Sequence, residues 1–86
     1  MHFVRKVRYM SGYRLELTFE DGSVKFVDLE PYLDGEIFEP LKDINYFKRV
    51  YVNPDIDTIG WENGADLSPD FLYEVGEAVP EAVEAE

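Results

Sequence analysis

The sequence contains no cysteine, and that absence removes several chemistries at once. Disulfides, thiolate nucleophiles and cysteine-ligated zinc sites are all excluded. Histidine is nearly missing too: His2 stands alone at the beginning of the chain, so no histidine backs a carboxylate and no Ser–His pair can form. No phosphate-cradling glycine loop occurs. No apolar run approaches the roughly 20 residues needed to cross a bilayer. The opening "MHFVRKVRYM" has charges with no apolar stretch behind them, so no signal peptide is read there and a cytoplasmic setting, with no membrane partner, is expected. Positive charge is scarce, with 8 Lys and Arg against 19 Asp and Glu and a formal net charge of −11. Such an excess repels nucleic acid and anionic membrane at long range.

What remains is a chain of 86 residues, enough for one domain and one core. A chain of this length buries only about 60–65% of the surface its unfolded form exposes. An aromatic content of 15% and an apolar content of 45% suit a globular domain, the bulky rings giving a small core its buried area. Charge is distributed unevenly. Arg5, Lys6, Arg8 and Arg14 crowd the beginning, whereas every charged residue after Arg49 is acidic.

Period-two alternation at Phe3, Val7 and Tyr9, and more cleanly at Tyr13, Leu15, Leu17 and Phe19, predicts half-buried strands. "EDGS" places Asp21-Gly22 between two alternating runs, a hairpin signal. A two-residue loop there pairs Phe19 with Val24 and Leu17 with Phe26, and a second turn at "MSG" completes a three-stranded antiparallel meander. On that register Lys6, Arg8, Arg14 and Lys25 share the opposite face. Between Pro31 and Arg49 the prolines favour short helical turns over one long helix. "RVYVN" and "TIGW" read as two further strands flanking "PDID". "LSPDFLYEVG" has Ser68 as N-cap, Pro69 at the first helical position, Asp70 facing the positive end of the dipole, an apolar stripe at Phe71, Leu72 and Val75, and Gly76 as the stop. The expected fold is α+β: an antiparallel sheet of a three-stranded meander plus two short strands, with short helical turns and a C-terminal helix packed on it. The expected core is Leu15, Leu17, Phe19, Val24, Phe26, Ile59, Trp61, Phe71 and Leu72. Residues 1–76 form the single domain, and the acidic 77–86 is expected to be a disordered tail.

The stretch from Thr58 to Gly76 concentrates the candidate chemistry. Counted from Asp55, the spacing of Asp57, Gly60, Asn63 and Asp66 resembles a calcium loop, but Ile59 occupies an oxygen-donor position and Asp66 the place of the bidentate glutamate. Trp61 is more naturally core than a ligand platform, its indole N–H needing Asn63 or a carbonyl as partner. Asn63-Gly64 reads as a turn, and Asp66 as a residue that bonds amides at the helix start. The basic sheet face, with Lys6, Arg8, Arg14 and Lys25, is the nucleic-acid candidate, although the tyrosines needed for stacking alternate to the other side.

With these elements in place, "YRLELTFEDGSVKFVDLEPYL", "GEIFEPLKDINYFKRVYV" and "TIGWENGADLSPDFLY" resemble the bacterial domain-of-unknown-function family 2442 over roughly residues 3 to 75. The last segment is the most specific, through Trp61, Asn63, Gly64, Ala65, Asp66, Leu67, Pro69, Leu72 and Tyr73. The resemblance implies a compact α+β fold and a bacterial cytoplasmic setting, and brings no catalytic mechanism. Members often sit beside a second small protein, as toxin–antitoxin pairs do. Together these readings favour a non-catalytic regulatory module, antitoxin-like, needing no cofactor and binding another small protein of basic character through the acidic half. Trp61, Asn63, Gly64 and Asp66 are the candidate contacts. The alternatives are a nucleic-acid-contacting module on the basic face and, more remotely, an enzyme or calcium-binding protein using Asp55, Asp57 and Asp66.

Overall fold

A computed structural model describes residues 2–79. Strands β1 (Val4–Ser11), β2 (Arg14–Phe19) and β3 (Val24–Asp28) form the expected antiparallel meander. Two 3-10 turns, Glu30–Tyr32 and Glu39–Lys42, each carry proline at their start, and the short helix α1 (Ile44–Phe47) follows with Asp43 as its N-cap. Strands β4 (Tyr51–Asn53) and β5 (Thr58–Gly60) make a separate two-stranded hairpin. Helix α2 (Pro69–Val75) begins at Ser68, whose hydroxyl accepts from the Phe71 amide. Strand β6 (Glu77–Ala78) then adds to the edge of β3, giving a four-stranded sheet in the order β1-β2-β3-β6. The fold is α+β. Glu77 and Ala78, placed in the tail by the sequence reading, are thus paired to β3, and the Val79 amide donates to the Val24 carbonyl; 80–86 lie outside the described residues.

The first hairpin departs from the expected register. Its loop has three residues, Glu20 to Gly22, closed by a bond from the Phe19 amide to the Ser23 carbonyl. Asp21 accepts from both the amide and the hydroxyl of Ser23, and Gly22 takes φ of 89°, the turn-plus-glycine geometry of three-residue loops. One extra loop residue moves β3 by one position and exchanges its faces. Leu17 therefore lies opposite Lys25, and Leu15 opposite Val27. Val27 and Leu29 are buried, while Val24 and Phe26 are only partly covered on the outer face.

The core combines Leu15, Leu17, Phe19, Ile59, Trp61 and Leu72, all foreseen, with Val4, Val27, Leu29, Leu33, Leu41, Phe47 and Ala65, which were not. Phe71 packs at the margin, its ring edge-on to Tyr32 at 5.1 Å. Phe47 joins the two sheets: its ring lies edge-on to Tyr13 at 5.3 Å and 5.7 Å from Trp61.

Gly76 ends α2 for a reason other than left-handed backbone, since its φ is −74°. A Cβ there would lie 2.9 Å from the Leu72 carbonyl oxygen and 3.0 Å from Lys25 Cβ. Glycine lets the chain pass tightly across β3 into β6. Gly76→Ala should destabilise the protein by about 1–3 kcal/mol through this overlap, read as a lower urea midpoint with unchanged slope. A neutral or stabilising effect would show that the crossing has slack.

Candidate interaction surface

The basic side chains are largely engaged within the molecule. Arg5 bridges Glu20 at 2.6 Å and Asp57 at 2.9 Å, and Arg8 bonds Glu16 at 2.8 Å. The hydrogen bond from Arg8, more than its charge, holds the Glu16 carboxyl below its ordinary value. Asp21 is also lowered, first by the Ser23 hydroxyl. Lys42 pairs with Glu39, and Arg49 with Glu62 at 3.5 Å. The shift of β3 carries Lys25 off the basic face: its Nζ donates to the Tyr73 carbonyl at 2.8 Å and sits 3.8 Å from the centre of the Tyr73 ring, on which His2 stacks and to which Phe19 lies edge-on. Among the described residues Lys6 and Arg14 alone of the four proposed basic contacts make neither an ion pair nor a side-chain hydrogen bond, since Lys25 is held by the Tyr73 carbonyl. The face read as a nucleic-acid surface is therefore neutralised at Arg8 and loses Lys25.

The calcium spacing does not assemble a site. Asp57, at φ of 56°, gives Oδ1 to Arg5 and its carbonyl to the Val4 amide, so a guanidinium holds one of the oxygens an ion would need. The Asp55 amide is taken by Asn53 Oδ1 in a local turn. Among the described residues no group of His, Cys, Asp or Glu is arranged to hold a metal.

Trp61 is buried, and its Nε1 donates to the Phe47 carbonyl at 3.0 Å, the carbonyl option of the two considered. Asn63 works inside the molecule: Oδ1 accepts from the Ala65 amide, while Nδ2 donates to the Ile37 carbonyl and ties this turn to the central loop. Gly64, at φ of 92°, closes the turn, where a side chain would be strained. Asp66 bonds no amide of α2, contrary to expectation; Ser68 alone supplies that side-chain cap. Instead the Asp66 backbone bridges Gly60, and its carboxylate is exposed with no hydrogen bond or ion pair among the described residues.

Two clefts contain residues of the candidate set. One, of about 410 Å³, lies at the β3–β6 margin between Arg14, Phe26, Asp28, Tyr32 and Glu77. The other, of about 210 Å³, gathers Trp61, Gly64 and Asp66 from the sequence-predicted set and adds Tyr51, Ile56 and Gly60. Tyr51 lies directly opposite Gly60 in the β4–β5 pairing, so nothing on that strand covers its ring. Tyr51 and Ile56 are 42% and 44% exposed, large apolar groups in an acidic neighbourhood. The sequence reading missed both, although strands flanking "PDID" as a four-residue loop already set Tyr51 against Gly60.

No described helix is long and apolar enough to cross a membrane. No curated protein and no solved structure matches the chain. A family model, a protein of unknown function (DUF2442), matches residues 4–77, which takes in the meander, both hairpin strands, α2 and the turn around Trp61. The chain belongs to the DUF2442 family.

Proposed function

We propose that this protein is a non-catalytic interaction module whose acidic surface binds a small basic protein, in an antitoxin-like pairing. The observation that carries the reading is the internal use of its cations. Arg5, Arg8, Lys42 and Arg49 are tied to carboxylates, while Asp66 presents its carboxylate outward and every charged residue beyond Arg49 is acidic. A surplus of outward negative charge steers a positive partner and disfavours phosphate. Among the described residues the two carboxyls with displaced titration, Glu16 and Asp21, are both lowered, the opposite of a carboxylic acid kept protonated for proton donation.

The test is capture from a nuclease-treated lysate of the native host, using the full chain and a variant carrying Asp66→Asn, Glu74→Gln and Glu77→Gln. One stoichiometric protein should be retained by the wild type, released by salt, and retained at least tenfold less by the variant. Recovery of nucleic acid from an untreated lysate, lost in a Lys6→Glu, Arg14→Glu variant, would replace this reading with the nucleic-acid one.

A further inference from the structure

We infer that the cleft over Gly60 and Gly64 receives an arginine side chain of the basic partner, an inference that rests on the interaction-module reading. The cleft has the parts such a side chain requires. Tyr51 offers an exposed ring, and a guanidinium stacks well on an aromatic face. Asp66 offers a carboxylate that no described residue bonds, able to accept two parallel N–H donors. Ile56 provides apolar cover for the methylene stem. The floor is glycine at two points, so an incoming chain approaches the backbone closely. Gly60 is closely packed there: a Cβ on it would come within 3.2 Å of the Ala65 carbonyl oxygen, so a larger residue needs the neighbouring backbone to give way by a few tenths of an ångström.

Size and charge narrow the occupant. At about 210 Å³ the cleft is smaller than the roughly 300 Å³ at which small-molecule pockets begin, so it suits one side chain better than a metabolite. No lysine or arginine lines it, and Arg49, the cation joined to this turn, is held by Glu62. The larger cleft at the β3–β6 margin contains Arg14, whose charge opposes a second guanidinium. Between these two clefts, charge complementarity therefore places the arginine in the smaller.

The experiment is an amide NMR titration of the full chain with the tripeptide acetyl-Gly-Arg-Gly-amide, with its citrulline counterpart as the uncharged control. Shifts should concentrate at Gly60, Gly64 and Asp66, and the citrulline peptide should leave them in place. Asp66→Asn and Tyr51→Ala should each weaken binding by about fivefold, the scale of one partly exposed ion pair or cation–π contact. Both positions are exposed, and an unchanged amide spectrum elsewhere verifies the fold. Binding by both variants as tight as that of the wild type, or shifts spread over all carboxylate-bearing surface, would overturn the assignment. The partner capture separates the two claims. Full retention of the partner by the Tyr51→Ala and Asp66→Asn variants, with loss on wider neutralisation, removes the cleft and leaves the module. Failure of the wild type to retain any protein removes the module, and the tripeptide titration then decides the cleft alone.

Discussion

Trp61→Ala should cost about 3–5 kcal/mol, the range for deleting a large buried aromatic side chain. Domains of this kind have about 5–15 kcal/mol in total, and short chains sit at the lower end, so the variant should lie close to its unfolding midpoint at 25 °C. The indole is buried against Phe47, and its removal also strips the Phe47 carbonyl of a donor. Trp61→Phe keeps a ring while losing the N–H and part of the buried volume; a smaller cost of about 1–3 kcal/mol is expected. Urea titration followed by circular dichroism measures both. If Trp61→Ala remained within 1 kcal/mol of the wild type, the joint between the two sheets could not depend on this side chain.

The second large effect concerns β3. Val27→Asp places a carboxylate in a buried position opposite Leu15, where the penalty is several kcal/mol and no basic side chain is at hand. Loss of the folded state is the expected result. Phe26→Ser, one residue away, removes a ring that is only partly covered on the outer face and should cost less than about 1.5 kcal/mol. The comparison tests the register itself, because pairing through a two-residue loop would reverse the order of the two effects.

The reason this register was not legible in the sequence is local. Asp21-Gly22 supports either a two-residue loop or a three-residue loop with glycine in the left-handed position; the first puts Leu17 opposite Phe26, the second puts Leu15 opposite Val27 and Leu17 opposite Lys25, so each offers some apolar pairing. The alternation in β3 is weak, since Val24, Phe26, Val27 and Leu29 are apolar on both faces. Hydrogen bonds from Ser23 to Asp21 decide between the loops, and composition does not reveal them. Where signals were stronger, the structure agrees: Ser68-Pro69 begins α2, the prolines break the central region into short turns, and "PDID" separates β4 from β5. Leu33, Leu41 and Phe47 were missed as core because short turns have no periodicity to display which side faces inward. The candidate surface was half visible. Trp61, Gly64 and Asp66 do come together, but Asn63 turns inward to the Ile37 carbonyl, and Lys25 is carried away by the shift of β3.

The position of the sole tryptophan has an optical consequence. Trp61 lines the small cleft at one side and bonds the Phe47 carbonyl at the other, so a single chromophore touches both the proposed arginine cleft and the packing of α1 between the sheets. Its emission comes from one place in the molecule and is free of background from other indoles. A ligand seated over Gly60 would perturb the spectrum without any label being added, and a slackening of the α1 contact would shift it towards longer wavelength as water reached the ring. The protein is built so that occupancy and loosening can be followed separately in one cuvette.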